Sequence, residues 1–506
     1  VSEARITVDP AFRVGPVDPR VYGSFVEHLG RCVYTGIYEP EHPTADQYGF
    51  REDVAGLTRE LGVPVIRYPG GNFVSGYRWE DGIGPAEERP VRLDLAWRSI
   101  EPNEVGTDEF CAWTRRVGSA PMLAVNLGTR GPEAAAQLVE YCNHPGGTYW
   151  SDRRVKNGTA EPHDVRVWCL GNEMDGDWQI GHKTADEYGR IAAETAKAMR
   201  LVDPSVELVA CGSSGAQMPT FGDWEATVLG HCYEHVDYIS MHSYYTYSSN
   251  TGREDDRASF LACATGMDSF IEDLVATADH VRAKGRHAKR INLSFDEWNV
   301  WHTLGYKSEG DWARAPRLIE DTYDLTDAVV VGNLLISLLR HADRVRMACQ
   351  AQLVNAIGLI RSEPGGPAWR QTIFHPFALT SRHGRGTVLQ TPVAAPGYET
   401  PKFGLVPQAD AVAVLSGAED ELTVFAVNRD VRGPLPAVID VRALPGLRVA
   451  RHTYLGDDDP SAANTQDVPD RIAPRTGADV PVDDGMVRMI LPPLSWNMIR
   501  IGAEDR

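Results

Sequence analysis

The feature that most constrains the fold is an alternation repeated eight times before residue 360. Each unit opens with a short apolar run rich in β-branched residues. The runs lie at 21–28, 63–71, 121–127, 165–170, 206–212, 238–242, 291–295 and 347–353. Between many of them the apolar spacing becomes helical, at 51–61, 107–117, 132–142, 184–201, 267–284 and 328–339. Asp108 and Glu109 sit in a first helical turn, where negative charge suits the dipole. Thr184 with Glu187 three residues on spells a capping box. Eight strands joined by crossover helices predict a closed (β/α)8 TIM barrel. The units share no motif, which argues against a solenoid. After about residue 384 the texture changes to short alternating runs such as 411–415 and 422–427, divided by turn residues. That pattern predicts an all-β, jelly-roll-like sandwich. The expected division is a barrel over 19–383 and a sandwich over 384–506. Arg5-Ile6-Thr7-Val8 reads as a sandwich strand, so residues 1–18 are expected to cross over and join it.

Composition narrows the function classes. A net charge of −20 without a basic patch argues against nucleic acid and anionic membranes as partners. No run of eighteen apolar residues is present, so no spanning helix is expected. The start, Val-Ser-Glu-Ala-Arg-Ile, has no basic segment leading into an apolar core, although a removed signal peptide would leave no trace. Eight scattered cysteines without a C-x-x-C fit a reduced, cytoplasmic setting. His182 interrupts the phosphate-loop look of 176–184, and 212–215 is one residue short of a nucleophile elbow. His28 and Cys32 lack further ligands, and H-E-x-x-H is absent. Neither a metal nor another cofactor is expected.

Two of the strand-like runs end in carboxylates. Trp168-Cys169-Leu170-Gly171-Asn172-Glu173 closes the fourth, and Leu293-Ser294-Phe295-Asp296-Glu297-Trp298 the seventh. The C-terminal ends of barrel strands are where chemistry is mounted. Glu is a poor residue for a buried strand unless it handles a proton or pairs with an Arg. Two such Glu in one closed sheet can converge. Glycosidic hydrolysis needs that pair: an acid for the leaving oxygen and a second carboxylate across the anomeric carbon. Trp97, Trp178, Trp298 and Trp301 lie near these motifs, where rings could pack on sugar faces or fill the core.

The chain resembles the α-L-arabinofuranosidases of glycoside hydrolase family 51. The matching segments are Tyr22-Gly23-Ser24-Phe25-Val26-Glu27-His28, Arg67-Tyr68-Pro69-Gly70-Gly71-Asn72-Phe73, Gly171-Asn172-Glu173-Met174-Asp175-Gly176, Met241-His242-Ser243-Tyr244-Tyr245, Asp296-Glu297-Trp298-Asn299-Val300-Trp301 and Gln352-Leu353-Val354-Asn355. The resemblance implies a retaining, exo-acting enzyme that releases terminal arabinofuranose from arabinan, arabinoxylan or arabino-oligosaccharides. It implies Glu173 as general acid/base and Glu297 as nucleophile. Asn172 would bond the sugar 2-hydroxyl and Tyr244 would stand beside the nucleophile. Glu27, Asn72 and Gln352 would hold the other hydroxyls. Arg67 would favour the charged nucleophile, with His242 in support. A homo-oligomer, often a hexamer, is also implied. Residues 247–256 match no part of the family pattern, so leaving-group specificity is not read from them. Two other readings stay open: an endo-acting β-glucan or xylan hydrolase on the same fold, and a non-catalytic sugar-binding protein.

Overall fold

The structure is a computed structural model and describes residues 3–246, 256–303 and 312–502. Eight parallel strands close into a barrel: β1 (Gly23–Phe25), β2 (Val65–Tyr68), β3 (Ala120–Val125), β4 (Val167–Leu170), β5 (Glu207–Ala210), β6 (Tyr238–Tyr245), β7 (Asn292–Val300) and β8 (Val345–Ala351). β8 closes the ring on β1, pairing Cys349 with Gly23 and Ala351 with Phe25. Strands such as β4, Val-Trp-Cys-Leu, are buried at every position. Helices outside and packed side chains inside leave such a strand no wet face, so it reads as a continuous apolar run.

Each of the eight predicted strands is present, with altered ends. β1 is only three residues long, because Pro19–Tyr22 forms a 3-10 turn before it. β7 does not end at Glu297 but runs through it to Val300. Its pairing register with β8 shifts between Phe295 and Trp298, the mark of a bulge. Helix Ala185–Val202 starts as predicted, with the Thr184 side chain accepting from the Glu187 backbone N–H and Glu187 accepting from the Thr184 N–H at 2.9 Å. Helices Tyr149–Lys156, Asp223–Cys232 and Phe374–His383 lack a matching expectation.

Beyond the barrel two sheets face each other. The smaller orders Val393–Ala394, Ala4–Thr7, Leu435–Asp440 and Met486–Leu491, so the N-terminal strand lies inside it. The larger includes Arg13–Pro16, Thr387–Leu389, Ala409–Leu415, Glu421–Asn428, Ser495–Gly502 and Val449–Leu455. Ile6, Leu389, Val424, Ile439 and Ile499 meet in the apolar layer between them. The buried helix Leu325–Arg340 joins this unit to the barrel, packing on both. Among the described residues no helix is long and apolar enough to cross a membrane. All eight cysteines are buried thiols.

Candidate active site

The barrel mouth gathers side chains from six of its strands or the loops that follow them. After β4 the chain turns sharply. Gly171 has φ +92°, a conformation open to glycine at little cost, and Glu173 has φ +43° despite carrying a side chain. Such strain persists only where surrounding contacts hold it. Here they do: Glu173 Oε2 accepts from Trp178 Nε1 at 2.7 Å, and Oε1 lies 2.9 Å from His242 Nδ1. Glu297, on the bulged part of β7, is held on both oxygens. Arg67 Nη1 donates to Oε1 at 2.6 Å and the Tyr244 hydroxyl donates to Oε2 at 2.8 Å. An oxygen of Glu173, an oxygen of Glu297 and a ring nitrogen of His242 all lie within 4.8 Å of one another.

Arg67 organises this cluster from β2. Burial opposes its charge, but Asp296 and then Glu297 outweigh burial and raise the guanidinium above its usual range. The Phe25 ring lies 4.7 Å beneath it. Its second arm, Nη2, donates to Asn172 Oδ1 at 2.7 Å. Since that amide oxygen is committed to Arg67, the amide nitrogen points away from the guanidinium, 3.5 Å from Asn72 Oδ1 and Gln179 Oε1.

A second polar group lies after β1. Glu27 Oε1 accepts from the Phe73 N–H at 3.0 Å and Trp97 Nε1 at 2.9 Å, and Oε2 accepts from Gln352 Nε2 at 3.0 Å. A Cβ on Gly71 would stand 2.6 Å from Glu27 Oε2, so only glycine lets this loop close on the carboxylate. Burial first, and the Glu297 charge second, push Glu27 up to about 8 against those donors.

His242 is the hub on β6. Besides Glu173 it reaches Asp296 Oδ1 from Nε2 at 2.9 Å, and its Nδ1 lies 3.7 Å from Glu297 Oε2. Burial works against its charge, yet Glu297, Asp296 and Glu173 together push it up to about 10. Glu173, His242 and Glu297 are also spaced like metal ligands. Both ring nitrogens are committed to carboxylates, and both Glu297 oxygens to Arg67 and Tyr244, so a cation would have to displace those bonds.

The predicted residues sort by position. Glu173, Glu297, Arg67, Asn172, His242 and Tyr244 form one hydrogen-bonded cluster. Asn72 borders it through Asn172. Glu27, Gln352 and Trp97 form the second group. Trp178, half exposed, and Trp301, edge-on to Tyr244 at 5.0 Å between centroids, border the first. Of the two readings of Trp298, sugar-facing ring or core filler, the structure favours the second: it is fully enclosed in the barrel core. Sequence reasoning passed over Asp296 and Gln179. Asp296 adjoins a chosen Glu, but strand alternation sends neighbours to opposite faces and gives no hint of a bulge. The 247–255 part of the unmatched stretch lies outside the described residues.

Two family profiles match the chain. One, described as the α-L-arabinofuranosidase 1 domain, covers residues 57–258, and the other, the α-L-arabinofuranosidase C-terminal domain, covers 296–495. The chain is 57% identical to an intracellular exo-α-(1→5)-L-arabinofuranosidase of Streptomyces lividans, over 98% of this chain and 75% of that one. It is 49% identical to an exo-α-(1→6)-L-arabinofuranosidase of Bifidobacterium longum, over 99% and 98%. The solved structure of a family 51 α-L-arabinofuranosidase from Bifidobacterium longum superposes with a TM-score of 0.94 at 47% identity, covering 99% of this chain and all of that one.

Proposed function

The chain belongs to the α-L-arabinofuranosidases of glycoside hydrolase family 51, and from that membership we propose a retaining, two-step reaction in which Glu297 attacks and Glu173 moves the proton. The activity is that of an exo-acting α-L-arabinofuranosidase, a glycosidase acting on arabinofuranosyl substrates. The observation that carries the retaining mechanism is the approach of a Glu173 oxygen to a Glu297 oxygen within 4.8 Å. Direct attack calls for carboxyls about 5–5.5 Å apart, whereas room for an intervening water takes about 6.5–9.5 Å.

The roles follow from the bonds. Arg67 and Tyr244 hold the Glu297 carboxylate rigid by two directed donors, which leaves a lone pair for the anomeric carbon. Glu173 protonates the departing oxygen and then takes a proton from the water that cleaves the glycosyl-enzyme. Arg67 turns the Asn172 amide nitrogen toward the 2-hydroxyl, a contact that strengthens as the sugar gains oxocarbenium character. Glu27, Asn72 and Gln352 receive the remaining furanose hydroxyls, and Trp97, Trp178 and Trp301 border them.

Arabinan, arabinoxylan and their oligosaccharides are the proposed substrates. Relatives named for (1→5) and for (1→6) linkages both align along nearly the whole chain, so linkage preference is a property of the rim. The relatives' names support an intracellular site of action. Family resemblance supports a homo-oligomer, a hexamer in its usual form, and a monomer on light scattering would remove that part. Proton NMR of nitrophenyl α-L-arabinofuranoside hydrolysis tests the mechanism. The first-formed arabinose should be the α-anomer, and β-arabinose appearing first would refute retention.

A further inference from the structure

Strand β7 carries two adjacent carboxylates, and the reaction above uses only Glu297. A regular strand would turn Asp296 to the opposite face. The shifted register near Phe295–Trp298 instead lets both reach His242. Asp296 is 1% exposed, and a buried carboxylate persists only where partners compensate for lost water. Its Oδ1 meets His242 Nε2 at 2.9 Å, and its Oδ2 lies 3.6 Å from Cys169 Sγ and 3.9 Å from Arg67 Nε. The Arg67 charge and the His242 bond hold the Asp296 carboxyl below its usual range.

We propose that Asp296 is a positioning residue for the acid/base, fixing the proton on His242 Nε2 so that Nδ1 alone faces Glu173. The inference rests on Glu173 being the acid/base. An ionised carboxylate can only accept, so the His242–Asp296 bond requires Nε2–H in every protonation state. The nitrogen left over, Nδ1, is the one at Glu173 Oε1. Partner choice on one ring nitrogen thereby decides what the other can do. With the imidazole charged, Nδ1–H donates to Glu173 and steadies the anion left after the proton has gone to the leaving group. With the imidazole neutral, Nδ1 accepts from a protonated Glu173. Either way the carboxyl keeps one orientation through both steps.

Several other groups bear on the same ring. Glu297 faces Nδ1, with Arg67 and Tyr244 bonded to it. Asp175 bears on Glu173 rather than on the ring: it accepts from the Ser214 N–H at 3.0 Å, and burial first, with the Glu173 charge in support, raises its carboxyl to about 6. The Cys169 thiol is neutral, its burial raising it well above the usual range.

The test is Asp296→Asn, which keeps the shape and removes the charge. It should lose about ten- to a hundredfold more rate on arabino-oligosaccharide, whose leaving group needs a proton, than on dinitrophenyl α-L-arabinofuranoside. That gap is part of the roughly 10²–10⁴-fold that acid–base help contributes. The basic limb of its kcat/KM profile should move to higher pH, because a neutral imidazole steadies the Glu173 anion less than an imidazolium. Equal losses on the two substrates, or a basic limb that does not rise, overturn the proposal; equal losses are also what damage through Arg67 and Glu297 would give. If Asp296→Asn does not fold, His242→Gln breaks the same link from its centre and must give the same two signatures. Glu173→Ala is measured alongside. If it too treats both leaving groups alike, the acid/base assignment has failed; if it separates them and Asp296→Asn does not, only the positioning role falls.

Discussion

At the residue scale the two central Glu differ by what surrounds them. Glu297 is gripped on both oxygens by an Arg and a Tyr, while Glu173 has an indole on one side and an imidazole on the other. Glu297→Ala should lose at least about 10³-fold in turnover, because no glycosyl-enzyme can form. Added azide should restore part of the rate and give the inverted glycosyl azide, and activity within tenfold of the parent would remove Glu297 from the role. Glu173→Ala should instead build up the glycosyl-enzyme from an activated aryl arabinoside, seen as a burst of phenolate, since the second step lacks its base. A linear release from the first turnover would count against it. Glu27 gives a pH test. Its carboxyl is raised to about 8 in the folded state, so between its unfolded value and about 8 the folded state binds the extra proton. Stability from this group is full at low pH and falls as pH rises through about 8. Glu27→Gln imitates the protonated form. Its melting temperature relative to the parent should therefore climb from pH 5 to pH 9, and a constant difference would contradict the raised value.

At the scale of elements, what was legible in the sequence depended on burial and capping. The eight barrel strands stood out because most are buried on both faces and cut off by Gly, Pro or Asn, as β2 is at Pro69-Gly70-Gly71. Helix Ala185–Val202 was readable from its apolar spacing and its cap together. Thr184→Ala removes the acceptor for the Glu187 N–H and should lower stability by about 1 kcal/mol with kcat unchanged. A drop in kcat at equal stability would tie this surface helix to the site. Helix Asp223–Cys232 stayed hidden because the Trp224 and Val228-Leu229 run is short and its cap is Gly222, at φ +86°, rather than a Ser, Thr or Asp. Phe374–His383 was masked by Pro376, which sits in the first turn, where its missing N–H does no harm. Within the site, the conjunction Glu173–His242–Asp296 was not readable. It depends on a bulge, and a bulge has no residue signature in this strand. Trp298 was left open between sugar and core for the related reason that a ring beside a polar motif can turn into the core, as this one does.

At the scale of the molecule, helix Leu325–Arg340 decides whether barrel and sandwich act as one body. It is buried along nearly its whole length, with barrel strands on one side and Glu421–Asn428 and Ser495–Gly502 on the other. Its C-terminal half carries a clamp: Arg340 binds Asp268 of the barrel and Asp410 of the sandwich, and Asn333 accepts from Arg429 Nε at 3.1 Å. Gly332 lies in the middle of the helix, where glycine costs about 1 kcal/mol relative to alanine. The reason for it is Trp496: a Cβ at 332 would stand 2.1 Å from the indole Cδ1. Gly332→Ala should therefore destabilise despite its better helix propensity, by about 1–3 kcal/mol for forced overpacking. Trp496→Leu should destabilise too, by opening a cavity. Combined, the two should be milder than their sum, because the added methyl then fills space that the indole has vacated. Thermal unfolding followed by activity, which reports the barrel, and by proteolytic cleavage within the sandwich should also shift together in each variant, since the contact belongs to both units. Strict additivity would mean that the glycine does not serve the indole. Loss of the sandwich signal ahead of an unshifted barrel transition would mean that the helix does not couple the two units.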